Sequence, residues 1–345
     1  MSQITLTNEE RRSALARLGY SEQEAHFLCL AALHGGYFLR RQYAEFLSGQ
    51  DGGTVTQLIG KVLVKGHAEV ATYRANTHLY HLSARPFYAA LGQEDNRNRR
   101  RKELVTVKTK LMGFDFVLAH LEHEYLATER EKIDFFQKAI GAAQPDLPAK
   151  RYACNGQLID RFFVEKYPLF LRPAAQTARP PAATFCFVDP GQASVLGFET
   201  FLNRYARLFA RLPEFAVTYV AASDRLFEKA RLLFDQFWHD SVKVSYGTGA
   251  RANQQMLEYF EARHLYDSKQ LGSFDRDKLI RLRDYRETFS GPEIDALYER
   301  WKAGATGAAI HIAAPKNGAF ARTSGHFSTY LLEHSYDLFG SLTAY

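Results

Sequence analysis

Residues 37–83 read YFLRRQYAEFLSGQDGGTVTQLIGKVLVKGHAEVATYRANTHLYHLS, and the change of hydrophobic period inside this stretch decides the fold. In YFLRRQYAEFLS the apolar residues Phe38, Leu39, Tyr43, Phe46 and Leu47 recur at helical spacing. The polar, glycine-containing turn GQDGG separates it from a second helical segment, TVTQLIGKVLVKG. There Val55, Leu58, Ile59 and Val62 form the stripe expected to be buried. Thr54, Gln57, Gly60, Lys61 and Lys65 are left facing outward. The period then switches to two: HAEVATY and HLYHLS alternate as short strands around RANT, a hairpin tipped by Arg74 and Asn76.

Upstream, two helix starts are marked by capping boxes. Thr7 with Glu10 and Ser21 with Glu24 place a hydroxyl and a carboxylate where both satisfy orphan amides. The first helix ends at Gly19. The second, SEQEAHFLCLAALH, presents Phe27, Leu28, Leu30, Ala31 and Leu33 and stops at Gly35-Gly36. Downstream, ARPFYAALG reads as a short helix with Pro86 near its start. Successive helices followed by a hairpin are the order of a winged helix-turn-helix domain, expected over residues 1–95. In that reading Thr54, Thr56, Gln57, Lys61 and Lys65 lie in or beside the major groove of duplex DNA, with Arg40 and Arg41 nearby. Arg74 and Asn76 sit at the wing, on the minor groove or on phosphate.

Charge points the same way. Residues 1–110 hold 16 Lys and Arg against 10 Asp and Glu, whereas the remaining residues hold 28 of each. The net charge of +6 is therefore confined to the first third of the chain, as attraction to a polyanion requires. The run Arg97, Arg99, Arg100, Arg101 and Lys102 falls in a basic linker expected over 96–110, where it would add phosphate contacts without reading sequence. The three cysteines, Cys29, Cys154 and Cys186, are far apart and form no CxxC or Cys/His set. That argues for a reducing, cytoplasmic setting and against a zinc site. The opening MSQITLTNEERR does not read as a signal peptide, and no apolar run reaches membrane-span length, so no membrane partner is expected.

A second domain is expected over 111–240. A long amphipathic helix is predicted from Phe114 to Ile140, and His120, His123 and Glu124 are read as its polar face rather than as metal ligands. Strands follow in LIDRFFVEKYPLFLRP and TFCFV, then helix GFETFLNRYARLFARL, strand FAVTYVAAS and helix DRLFEKARLLFDQFW. This order predicts an α/β layered domain with the element sequence of a restriction-endonuclease-like core. The whole chain is thus α+β, closed by a helical C-terminal extension over 241–345. In that extension, charged helices are expected between 250 and 303, and a strand in AIHIAAP. KNGAFARTSGH lacks phosphate-loop spacing, and His311, His326 and His334 are too scattered to suggest a site.

The segments YFLRRQYAEFL and FCFVDPGQASVLGFETFLNRYARLF, with the basic connector between them, resemble the bacterial replication-relaxation family over residues 7–240. Its members are mobilisation or replication accessory proteins of plasmids and integrative elements. In that family a strand ends in an acid, one spacer, Asp and a Gly turn, ahead of a Lys-rich helix with a Tyr near its end. Asp189, Gly191 and Tyr205 match by position, whereas Phe187 stands where the first acid is needed. The resemblance implies a DNA-binding regulator or accessory factor, and the departure at Phe187, which removes the paired carboxylates, leads us to expect an endonuclease-like domain without catalysis or cofactor. Its partners would be duplex DNA, a second copy of the chain on paired half-sites, or a replication or mobilisation protein.

Two other readings stand beside it. A Mg2+-dependent endonuclease would use Asp189 with Asp160, Glu165 or Glu124, although Glu165 and Lys166 are adjacent and would point to opposite faces of a strand. A protein-interaction module of a defence or anti-defence system would turn the winged helix toward protein.

Overall fold

The computed structural model describes residues 6–49, 52–73, 77–154, 157–165, 167–172, 181–246, 250–268, 276–289, 292–303 and 324–336. Both capping boxes form. Thr7 and Ser21 accept from the amides of Glu10 and Glu24, and the two glutamates accept in return from the cap amides, opening α1 (Asn8–Arg17) and α2 (Glu22–His34). Next come β1 (Tyr37–Leu39), α3 (Arg40–Phe46), α4 (Gly53–Val64), β2 (Ala68–Thr72) and β3 (His78–Leu82). The three strands form an antiparallel sheet of order β1-β3-β2.

The start of YFLRRQYAEFLS departs from the helix expected there. Tyr37, Phe38 and Leu39 are all buried and pair with His81, Tyr80 and Leu79. A helix begins only at Arg40, where the Gln42 side chain accepts from the Leu39 amide at 2.9 Å. Three consecutive large apolar residues suit a strand covered on both faces better than an amphipathic helix.

After the short α5 (Arg85–Ala90), residues 96–110 are not the solvated basic linker expected from their charge. A 3-10 turn covers Arg97–Arg99, and α6 runs from Leu104 to Ala119. Asn98 is fully buried. Its amide donates to the carbonyls of Ala32 and Leu33 at 2.9 and 3.2 Å, and its own carbonyl accepts from His81 at 2.8 Å. Gly36, in the left-handed region at φ 78°, lets this strap pass, because a Cβ there would lie 2.7 Å from the Asn98 carbonyl oxygen.

α6 is buried nearly all round from Lys110 to Val117. Phe114 and Val117 join the core of the N-terminal unit. Val107, Leu111, Met112 and Phe116 pack with Phe170, Cys186, Val188 and Val220 of the second sheet. Its end corrects the expected 114–140 helix: His120 caps α6, and β4 (Glu124–Tyr125) intervenes. A third capping box, Thr128 with Glu131, then opens α7 (Glu129–Lys138).

The second sheet has five strands in the order β10-β9-β8-β7-β4, comprising β7 (Leu169–Arg172), β8 (Ala182–Asp189), β9 (Glu214–Ala221) and β10 (Ser324–Leu331) with β4. β8, β9 and β10 are parallel, and β7 is antiparallel to both of its neighbours. A hairpin of β5 (Ala149–Cys154) and β6 (Gln157–Phe162) stands apart from it. Side chains of β8 alternate. Phe185 and Phe187 face α8 (Leu196–Phe209), while Cys186 and Val188 face α6. α9 (Phe227–Tyr246) adds Ala230 and Phe234 to the α8 side. The helices α10 (Ala250–Asp267), α11 (Arg276–Thr288) and α12 (Pro292–Lys302) enclose a small core of Met256, Tyr259, Phe260, Leu282 and Tyr298. The strand expected in AIHIAAP lies outside the described residues. The chain is α+β, and no helix among the described residues is long and apolar enough to cross a membrane.

His34, at the end of α2, is buried edge-on against the Tyr125 ring at 5.1 Å. Burial first, then the charges of Lys132 and Lys110, push its imidazole down to about 3. The fold therefore holds it neutral, while the unfolded chain takes up a proton below about pH 6.5. Its contribution is complete above that pH and is lost as pH falls toward 3. Urea titrations should show the wild-type chain losing about 1.4 kcal/mol more per pH unit than His34→Phe below pH 6. Parallel curves for the two would refute this role.

Candidate nucleic-acid interface

The twelve residues of α4, GTVTQLIGKVLV, contain no acid. Val55, Leu58 and Val62 are buried beneath the helix, whereas Gly53, Thr54, Thr56, Gln57, Gly60 and Val64 form an exposed stripe continued by Lys65. A Cβ at Gly53 or Gly60 would meet nothing within 4 Å, so the stripe is open as well as small. Among the described residues no side chain caps the helix start, so the positive end of the helix dipole lies beside the exposed Gly52 and Gly53. Arg40 reaches this end from α3, donating to Thr56 Oγ1 at 3.1 Å. Such a surface can approach a polyanion closely and offer it amide, hydroxyl and guanidinium donors. Val64, 89% exposed, belongs to the stripe and was not among the residues expected there. Its spacing of four from Gly60 and seven from Gln57 was the available signal.

Several expected members are committed elsewhere. Lys61 pairs with Glu24 at 2.5 Å and lies over the Tyr20 ring, so it stitches α4 to α2 rather than facing outward. Arg41 turns inward to a bidentate pair with Asp115 of α6, at 3.0 and 2.7 Å. Within the basic run, Arg99 donates to the carbonyls of Ser83 and Glu94, and Arg101 pairs with Glu69 of β2. Arg97 stacks 4.5 Å over Tyr152 of β5, and the Lys102 amide donates to the Tyr37 hydroxyl. Burial, then the neighbouring Arg97 and Arg100, lower the Lys102 pKa. Arg100 is exposed. Arg74 and Asn76 lie outside the described residues. The hairpin bearing them is held up to the Tyr73 amide, which donates to the Thr77 carbonyl at 2.8 Å.

The acids proposed for the endonuclease alternative are each engaged separately. Asp189 is buried at the end of β8. Its Oδ1 accepts from the amides of Gly191 and Gln192 at 2.9 and 2.8 Å, and its Oδ2 accepts from the Tyr219 hydroxyl at 2.8 Å. Gly191, at φ 95°, supplies the left-handed residue of this turn. Asp160 pairs with Arg151 across the β5–β6 hairpin, Glu165 pairs with Arg204 of α8, and Glu124 is exposed on β4. Lys166 lies outside the described residues. Phe187, where the family pattern has its first acid, packs among Tyr167, Phe198, Phe201 and Tyr219.

Comparison with known proteins finds no matching family model, no similar curated protein and no similar solved structure.

The three bonds to Asp189 make it a structural carboxylate. Asp189→Ala should lower stability in urea by about 2–3 kcal/mol by stranding its donors. Asp189→Asn should cost less, because its amide oxygen can still accept from Gly191 and Gln192. Equal stability of all three forms would show that the turn does not depend on the side chain.

Proposed function

We propose that this chain is a duplex-DNA-binding protein whose first unit is a winged helix with α4 as its recognition helix. The observation that carries the reading is the open, acid-free outer stripe of α4 with Arg40 at its N-terminal end. The helix order and the β1-β3-β2 sheet fit that architecture, with α4 leading directly into the hairpin. Thr54, Thr56 and Gln57 would reach base edges, with the exposed Val64 suited to a thymine methyl. Arg40, Lys65 and Arg100 would add phosphate contacts.

The second unit fits an endonuclease-like fold serving as a non-catalytic platform, since its one matching acid is bound up in a turn. Together with the resemblance to replication-relaxation proteins, this supports a cytoplasmic accessory or regulatory role on a bacterial mobile element. A homodimer on paired half-sites would suit that role.

Fluorescence anisotropy on a labelled duplex, measured across a salt series, tests the reading. Thr54→Glu with Gln57→Glu should weaken binding by about tenfold or more, since each places a carboxylate against the polyanion. Arg40→Ala should reduce the slope of log affinity against log salt by about one. Lys61→Ala should instead lower stability, because it leaves the nearly buried Glu24 without its counter-charge. Unchanged affinity in the double glutamate variant would rule out α4 as the docking element.

A further inference from the structure

The turn between α6 and β4 gathers His120, Glu122 and His123, whose donor atoms all lie within 4.8 Å of one another. Among the described residues this is the one group of three His, Cys, Asp or Glu side chains placed to share an ion. The early end of α6 creates it. The His123 amide donates to the His120 carbonyl at 3.2 Å, closing a turn that brings Glu122 to the two imidazoles, where a continuous helix would have pointed it away from them. Glu122, two residues after His120, takes the place that the helical reading had given to Glu124.

The two imidazoles are held by packing. His123 stacks on Phe170 with centroids 4.0 Å apart, and His120 sits edge-on to Phe116 and Tyr330 at 4.6 and 4.9 Å. His120 Nδ1 lies 3.8 Å from Glu122 Oε1 and 2.8 Å from the Ala119 carbonyl oxygen, so ligation through Nδ1 would replace that carbonyl contact. Glu122 Oε1 lies 3.6 Å from His123 Nδ1, close to the roughly 3.4 Å edge of a tetrahedron with ligand bonds near 2.1 Å. The Glu122 side chain is 67% exposed, so rotation about its own bonds can bring in the remaining contact. The cluster also stands at the C-terminal, negative end of a sixteen-residue helix, which favours a cation.

We propose that His120, Glu122 and His123 form a Zn2+ site, with the fourth position open to water or a partner's side chain. Two imidazoles and a carboxylate match zinc, whereas Mg2+ and Ca2+ demand oxygen donors. Bound metal would pin the shared helix α6 to the edge strand β4. The site is independent of the DNA-binding reading.

Calorimetric titration of the EDTA-stripped full chain with Zn2+ alone tests this. The expected result is one ion per chain, little response to Mg2+, and a rise in melting temperature with added Zn2+. Co2+ in place of Zn2+ should give the visible absorption of a four-coordinate centre. Glu122→Gln and His123→Gln should each weaken binding by about tenfold or more and abolish the thermal shift. His326→Gln, on β10, should do neither. Both test positions are partly or largely exposed, so unchanged metal-free melting curves are expected to show that the variants fold. Failure to bind Zn2+, or binding indifferent to Glu122 and His123, would overturn the site.

Discussion

One buried carboxylate ties the two halves of this molecule together. Asp115, on α6, accepts both arms of the Arg41 guanidinium, the side-chain amide of Gln42 and the hydroxyl of Tyr336. Its three partners come from α3 and from the segment after β10, so a single acid joins parts of the chain far apart in sequence. Such a pair adds little over well-packed apolar side chains, but removing one partner leaves an uncompensated charge at a cost of about 3–5 kcal/mol. Its effect is therefore on geometry. With Arg41 and Gln42 both engaged, α3 has little freedom to rotate on α6, and α4 is set against α3.

α6 extends that constraint through packing. Phe114 and Val117 enter the N-terminal core, and Leu111, Met112 and Phe116 enter the second. At Gly113 the helix lies in ordinary contact range of the sheet, since a Cβ there would come to 3.4 Å from Pro168 and 3.6 Å from Val188. A helix buried on both sides cannot serve as a hinge, because either core would lose its apolar contacts on separation. The proposed recognition surface and the five-stranded sheet thus form one mechanical object. Phe114 and Val117 of α6 share the N-terminal core with Val55, Leu58 and Val62 of α4.

What could be read in the sequence was whatever local chemistry determines. The boxes at Thr7/Glu10 and Ser21/Glu24, the stripe of α4, the β2–β3 hairpin and the strand ending at Asp189 all follow from nearby residues, and all are present. The misreadings at 96–110 and at Arg41 share one cause: tertiary burial overrode local appearance. Residues 96–110 look like a solvated basic run, yet Asn98 finds carbonyls in α2, and Lys110 is buried with its ammonium 2.9 Å from Asn98 Oδ1. Arg41 looks like a surface arginine because Asp115 is remote in sequence. The break at His120 lacks a proline or glycine, so periodicity ran through it; the box at Thr128/Glu131 was the sign that a new helix starts.

The same pairings alter the electrostatic argument. The first 110 residues carry a surplus of six positive charges, but Arg11 and Arg41 are matched by Glu131 and Asp115 from beyond that segment. Pairs made within the segment, such as Lys61 with Glu24 and Arg101 with Glu69, leave its total unchanged. At least two of the six surplus charges are therefore matched from outside the N-terminal unit. A field of that size steers a polyanion without holding it tightly, because each phosphate contact contributes only about one unit to the salt slope. On the proposed DNA-binding reading, discrimination would then come from close fit along the small, open stripe of α4. That is consistent with a helix whose exposed residues are glycine, threonine, glutamine and valine rather than a row of lysines.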